Sequence, residues 1–114
     1  AHGRIEEPEN RQMSTPESKV RDPVVKWAKA QGIMHVRMAM RPGVASGVPD
    51  DLFLLHGGHA VFIEFKRPGK EPTPIQTAKL LRLRDLGFFA VWADDSDAAI
   101  TVLKAFMLKL EQAL

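Results

Sequence analysis

The stretch GVPDDLFLLHGGHAVFIEFKRPG, residues 47–69, contains two apolar runs separated by a pair of glycines. Each run has the length of a β-strand, and glycines between two such runs are typical of a hairpin turn. We therefore predict strands over residues 52–55 and 60–66. The second strand is interrupted by Glu64 and Lys66. Residues two apart in a strand share a face, so these two charged side chains project together, away from the apolar side of the strand.

The register of this hairpin determines which acid lies beside Glu64. With a two-residue Gly57-Gly58 turn, Asp51 lies opposite Glu64, whereas one extra residue in a bulged turn places Asp50 there. Like charges directly opposed across a sheet are destabilising. A hard divalent cation such as Mg²⁺ or Mn²⁺ stabilises two carboxylates held together. Either register therefore predicts an acid pair that binds a metal ion.

A metal ion held by an Asp and a Glu can bind both a scissile phosphate and a water molecule. The ammonium group of Lys66 beside such a site can stabilise the negative charge that develops during the reaction, or assist deprotonation of the water. The residue types on this strand therefore indicate hydrolysis of a phosphodiester. Alone, Glu64 and Lys66 are also compatible with a solvated sheet face that carries a weak surface ion pair.

The rest of the chain predicts the element order α-β-β-β-α-β-α. Thr15 and Pro16 are typical of a helix start, and Gly32 of its end; Asp22-Pro23 predicts a kink or a restart between them. Residues 33–40 alternate, which predicts a half-buried strand whose methionines pack in the core or at an interface.

The C-terminal half continues this pattern. Thr73-Pro74 predicts the start of a second helix, which ends near Leu86. The apolar run 88–93 predicts a buried strand, and residues 98–112 predict a last amphipathic helix. His56 and His59 flank the hairpin turn, so a histidine metal cluster is not expected.

Composition limits the classes of protein. The 114 residues, 45% hydrophobic and 26% charged, are typical of one soluble domain, which we place at 14–114 after a flexible extension over 1–13. No apolar run approaches the roughly 18 residues of a membrane span. The absence of cysteine excludes disulfides and thiolate metal sites and fits a reducing compartment, so we expect a cytoplasmic location. The net charge of +2 weakly favours a polyanionic partner.

The order of these residues resembles a known family. Pro49-Asp50, then thirteen residues, then Glu64-Phe65-Lys66 resembles the signature of the PD-(D/E)XK nucleases. The fuller set resembles the VRR-NUC branch of that superfamily over roughly residues 17–103, and it comprises Gly47-Val48-Pro49-Asp50, Glu64-Phe65-Lys66-Arg67-Pro68-Gly69 and Gln76. The resemblance implies an α/β (α+β) fold. Its αβββαβ core has a mixed sheet of about four strands flanked by helices, and here a C-terminal helix follows.

The resemblance also implies roles for individual residues. Asp50 and Glu64 would be metal ligands, with the backbone carbonyl of Phe65 as a third, and Lys66 would be the catalytic lysine. The catalytic set would be completed by Gln76, which would orient Lys66 or the water, and by Glu17. Asp51 stands where the family usually has an apolar residue; we choose Asp50 because it follows the proline, and keep Asp51 as the second choice of ligand.

Relatives of this size imply a Mg²⁺-dependent deoxyribonuclease, with Mn²⁺ able to substitute, in a bacterial cell or a phage-infected host. They imply a homodimer that cleaves branched DNA such as Holliday junctions, with no membrane partner and no organic cofactor. The predicted DNA contacts are Arg37, Arg41, Ser46, Arg67 and Lys70. Two alternatives stay open: a flap nuclease or exonuclease with the same site, and a non-catalytic nucleic-acid-binding module that keeps the fold.

Overall fold

A computed structural model describes residues 15–38 and 47–113 of the chain. The described residues form three helices and four strands: α1 Pro16–Ala30, β1 Met34–Arg37, β2 Asp51–Leu55, β3 His59–Phe65, α2 Pro74–Asp85, β4 Phe89–Ala93 and α3 Ser96–Ala113. This order and the mixed four-stranded sheet confirm the predicted fold class. The extension predicted over 1–13 and the predicted DNA contacts Arg41 and Ser46 lie outside the described residues.

The sheet has the order β1-β2-β3-β4. The first three strands are antiparallel neighbours, and β4 runs parallel to β3 because α2 provides the crossover between them. One face of the sheet, the core face, is covered by α1 and α3. The core cluster on this face comprises Val20, Val24, Ala28, Ile33, Phe53, Leu55, Val61, Ile63, Phe65, Ala93, Ala99 and Leu103.

The opposite face of the sheet, the open face, is only partly covered by a helix. Helix α2 packs on its β4 side, where Leu80 and Ala90 are buried. The β1–β3 side carries the alternate residues of each strand, which include Met34, Leu52 and Phe62. The open face is therefore the only side from which a substrate can reach groups on β2 and β3 without displacing core packing within the described part of the chain.

The β2–β3 hairpin closes with a three-residue turn. Leu55 pairs with His59, which leaves His56 and the two glycines in the turn, with φ of +80° for Gly57 and +78° for Gly58. Glycine adopts these left-handed angles without steric cost. Asp51 consequently pairs with Ile63, the register of the bulged turn rather than that of the two-residue turn.

Helix α1 begins where the sequence predicts. The Thr15 side chain accepts a hydrogen bond from the Ser18 N–H at 3.1 Å, and the Ser18 hydroxyl accepts one from the Thr15 N–H at 2.7 Å, which makes a reciprocal capping box. The helix does not restart at Asp22-Pro23, because one helix runs through Pro23. This proline is on the exposed side, where water can solvate the freed carbonyl, while the other side of the helix is held in the core.

Of the two predicted locations for the methionines of β1, the core and an interface, the structure excludes the core. Met34 is 63% exposed, while His35, on the other side of the strand, faces the buried Asp51. The alternation was correct, but β1 is an edge strand and no described helix covers its open face. Strand β4, predicted to be fully buried, is the other edge and exposes Phe89 and Trp92.

Helix α3, with 18 residues, is the longest of the described helices. The Asp95 carboxylate accepts a hydrogen bond from the Ala98 N–H at 2.8 Å and so caps its first turn. The helix packs on the core face through residues such as Ala99 and Leu103. Neither α3 nor any other helix in the described ranges combines the length and apolarity that crossing a membrane requires.

Candidate active site

Asp50 and Glu64 lie across from each other on the open face. The β2–β3 register places Asp50, one residue before the first paired position, opposite Glu64. Two contacts fix the backbone of Asp50. The preceding residue, Pro49, is fully buried, and the Met38 N–H donates to the Asp50 carbonyl oxygen at 2.7 Å. The backbones of both residues are therefore held in place, Glu64 within β3 and Asp50 directly before β2.

Glu64 is 3% exposed, and one of its two carboxylate oxygens, Oε1, is buried without a hydrogen-bond partner. Burial, followed by the charge of Asp50, raises the pKa of Glu64 to about 7, against the lowering influence of Lys66. Burial also raises the pKa of Asp50, although Arg37 opposes this shift. The site therefore holds two carboxyl groups, one with an unsatisfied oxygen, in surroundings that disfavour their charged forms.

An unsatisfied buried carboxylate oxygen beside a second carboxylate fits a divalent cation, which supplies the missing partner and the compensating charge. The described residues include no group of three or more His, Asp or Glu side chains that could hold a metal. A cation here would rely on Asp50, Glu64 and oxygens from the main chain or from solvent. The backbone carbonyl of Phe65, the next residue along β3, stays the predicted third ligand.

Lys66 and Gln76 both contact the other oxygen of Glu64, Oε2. The Lys66 Nζ lies 3.8 Å from Glu64 Oε2, and its side chain is 7% exposed. The Lys66 N–H donates to the carbonyl oxygen of Ala93 at 2.9 Å, which extends the β3–β4 pairing past the end of β3 and fixes the lysine backbone.

The orientation of the Gln76 amide follows from the cap of helix α2. The Thr73 N–H donates to Gln76 Oε1 at 2.9 Å, and the Gln76 N–H donates to the Thr73 hydroxyl at 3.2 Å. With its oxygen occupied in this way, the amide presents its NH₂ group to Glu64 Oε2 at 3.3 Å. The capping box thus connects α2 to the acid pair. The contact is to Glu64 rather than to Lys66, one of the two partners expected for Gln76; the other, the attacking water, stays a prediction.

Asp51 points to the other face of the sheet. It is fully buried and receives a hydrogen bond from Arg21 Nε at 2.9 Å, while His35 Nε2 lies 2.6 Å from its other oxygen. Arg21 is 4% exposed, and its guanidinium lies over the Phe65 ring at 5.7 Å. Because Asp51 has these partners, its carboxylate forms a network that joins α1, β1 and β2 directly behind the acid pair.

Sequence reasoning missed Arg21. The available signal was its position: Arg21 lies four residues after Glu17 and three before Val24, on the stripe of α1 that faces the core. A cation on such a stripe requires a buried acid as its partner. Asp51, the acid that departs from the family pattern, is that partner.

Glu17, Arg67 and Lys70 lie around a cleft of about 360 Å³ at the start of α1. Glu17 is half-exposed, with Oε1 3.7 Å from Arg21 Nη2, and its negative charge contributes to raising the pKa of both Asp50 and Glu64. Arg67 and Lys70 are exposed. Arg37 has an exposed guanidinium 3.9 Å from Asp51 Oδ1. Arg37 lies close enough to Asp50 to lower its pKa, whereas Arg67 and Lys70 share the cleft with Glu17.

No family model matches the chain. A phage protein named "Putative nuclease p44", from Acyrthosiphon pisum secondary endosymbiont phage 1, is 43% identical to it over 51 residues, which are 45% of this chain and 55% of that protein. The match thus spans about half the length of this relative.

Two solved structures are similar over most of the chain. One, described as a VRR_NUC domain, has a TM-score of 0.71 and 23% identity, and the match covers 80% of this chain and 97% of that one. The other, described as a VRR_NUC domain protein, has a TM-score of 0.63 and 24% identity over 81% of this chain and 88% of that one. The chain therefore has the fold of the VRR_NUC domain, as the sequence motifs predict.

Proposed function

We propose that this protein is a divalent-metal-dependent deoxyribonuclease, an endonuclease that hydrolyses phosphodiester bonds in DNA. The observation that carries the proposal is the buried Glu64 oxygen that has no hydrogen-bond partner and lies opposite Asp50. Burying an unpaired carboxylate oxygen costs stability. Because the unpaired oxygen lies at a position predicted to bind a metal ion, a bound cation would supply its missing partner.

Asp50 and Glu64 would hold the metal, with Mg²⁺ as the expected ion and Mn²⁺ as a substitute. When bound, the ion supplies Lewis-acid polarisation of a phosphoryl oxygen and lowers the pKa of a coordinated water. The protein orients the carboxylates: strand pairing fixes the backbone of Asp50, and Gln76 fixes the rotation of the Glu64 carboxylate through its contact with Oε2.

Lys66 supplies the positive charge of the site. Its ammonium group, 3.8 Å from Glu64 Oε2, is largely buried, and a fixed charge in such surroundings acts more strongly than it would in water. We assign it to stabilise the negative charge that grows on the phosphoryl oxygens as the water attacks. Glu17 adds negative charge at the edge of the site, and we assign it to bind the attacking water.

DNA binding is assigned to Arg37, Arg67 and Lys70, with Arg41 and Ser46 as further predicted contacts. Basic side chains of this kind bind phosphates and carry no sequence information. We therefore assign a preference for the structure of DNA rather than its sequence, with branched DNA such as a Holliday junction as substrate. Symmetric cutting of two strands requires two sites related by a twofold axis, so the active form is a homodimer. The name of the phage relative supports a nuclease. A bacterial or phage-infected cytoplasm stays the expected location.

The test compares cleavage of a four-way junction, a flap and a linear duplex in Mg²⁺. Wild type should cut the junction most rapidly. Glu64→Ala and Lys66→Ala should each lower the rate at least about 100-fold, the effect typical of removing one charge-stabilising group. Glu71→Gln, an exposed carboxylate in the loop before α2, is the control and should cleave like wild type. Equal activity in all four proteins contradicts the mechanism.

The same assay separates the alternatives. Cleavage confined to the flap or to DNA ends would favour a flap nuclease or an exonuclease that uses the same carboxylates. DNA binding without cleavage, together with no Mn²⁺ binding in a calorimetric titration, would favour a non-catalytic module.

A further inference from the structure

The open face carries an apolar patch beside the acid pair. The patch, which we call the Met patch, consists of six side chains contributed by all three antiparallel strands and by the residue that follows β1: Met34, Val36, Met38, Leu52, Leu54 and Phe62. The ring of Phe88, 46% exposed, packs edge-on against Phe62 at its border. Within the described residues of β1–β3, Glu64 is the only charged residue on this face; Asp50 precedes β2 and Lys66 follows β3.

We propose that the Met patch is the surface through which a second copy of this chain docks. The Met patch itself contains no cation to bind phosphate, so DNA that reaches the acid pair would be held by the basic residues around the site rather than by the patch. An apolar surface is, by contrast, complementary to itself. An isologous twofold interface requires this property, since the same patch is on both sides of it.

The area of the Met patch matches the requirement of a dimer. Met34 is 63% exposed, Val36 37% and Met38 37%, and the whole patch exposes on the order of 400 Å² of apolar area, the size of the largest patch on a typical monomer, which is often functional. A standard interface buries about 800 Å² per partner, of which roughly 60% is apolar. The patch therefore supplies most of the apolar centre of such an interface, and polar residues around it would supply the remainder.

The position of the Met patch has a consequence for the proposed nuclease. On β2 the patch residue Leu52 is followed, on the same face, by Asp50, and on β3 the patch residue Phe62 is followed by Glu64. A dimer formed here has both acid pairs along the border of one interface, so that one DNA molecule can contact both. This step rests on the proposed function, whereas the docking surface itself does not.

The test measures molecular mass by light scattering across a range of protein concentrations. Wild type should give about 25 kDa, twice the 12.7 kDa of one chain. Met34→Glu should give the mass of one chain, because the charge would be buried at the interface. Leu108→Glu is the matched control: Leu108 is 58% exposed, close to Met34, but lies on α3 on the other side of the sheet, and this variant should stay dimeric. Met38→Lys gives a second, independent measurement on the patch.

A wild type that stays monomeric throughout, patch variants that stay dimeric, or a Leu108→Glu variant that dissociates would each overturn the proposal. Mn²⁺ titration of Met34→Glu separates this result from the proposed function. The monomeric variant should keep the metal affinity of wild type, since its acid pair is intact, while losing paired cuts in a junction. If the dimer depends on the patch but the protein binds no metal and cuts no DNA, the proposed interface stands and the proposed nuclease function is refuted.

Discussion

The raised pKa of Glu64 predicts how the stability of the metal-free protein depends on pH. The pKa is about 7 in the folded chain against an ordinary value of 4.5, so the folded state binds this proton more tightly than the unfolded state does. The resulting stabilisation is fully present below about pH 4.5 and is lost as the pH rises through 7. A difference of 2.5 pKa units, 7 minus 4.5, corresponds to an upper limit of about 3 kcal/mol at 1.36 kcal/mol per unit.

Glu64→Gln isolates this contribution because the amide keeps the shape of the protonated acid and does not titrate. In EDTA, urea denaturation at pH 5 should give similar free energies of unfolding for the variant and wild type. At pH 8 the variant should be the more stable protein, by up to about 3 kcal/mol, which is roughly 10 °C or more in Tm for a domain of this size. Glu71→Gln, exposed before α2, should follow wild type at both pH values.

Parallel pH profiles for wild type and Glu64→Gln would refute the reasoning, because they would show that Glu64 is not held in surroundings that disfavour its charge. Mn²⁺ gives a second arm to this experiment. At pH 8 it should stabilise wild type and leave Glu64→Gln unchanged, since a ligand that binds only the folded state raises the free energy of unfolding.

Two further predictions concern the residues that hold the site in place. Arg21→Met removes the arginine that pairs with the buried Asp51 carboxylate at 2.9 Å and should lower the free energy of unfolding by about 3–5 kcal/mol. In urea denaturation, the exposed Arg82→Met should cost under about 1 kcal/mol. Gly47→Ala should cost more than Gly58→Ala, because both have positive φ but only the first places a Cβ 2.6 Å from a side-chain carbon of α2. Equal Tm losses would contradict the close approach.

Local features were predictable from the sequence because their causes are local. The threonine–proline pairs begin α1 and α2 through caps that depend on residues three apart. The glycines of the hairpin permit the left-handed turn, and the motif residues place Glu64 and Lys66 on one side of β3. These features were enough to predict the order of the elements and the acid pair.

Features that depend on distant parts of the chain were not predictable in this way. The periodicity of β1 shows which residues share a side of the strand. It does not show which side is covered, because that depends on where α1 and α3 pack. The register of the hairpin depends on a single residue of the turn, so the sequence left Asp50 and Asp51 as alternatives. The role of Asp51 depends on Arg21, 30 residues earlier in the chain.

The opposite directions of these two neighbouring acids provide the most direct test of the account. Junction cleavage in Mg²⁺ should be measured for Asp50→Asn and Asp51→Asn, at a temperature where circular dichroism shows that both variants are folded. We predict that Asp50→Asn loses cleavage at least about 100-fold, whereas Asp51→Asn keeps a rate close to that of wild type but unfolds at a lower temperature. Loss of cleavage in folded Asp51→Asn, with activity retained in Asp50→Asn, would contradict the proposed site.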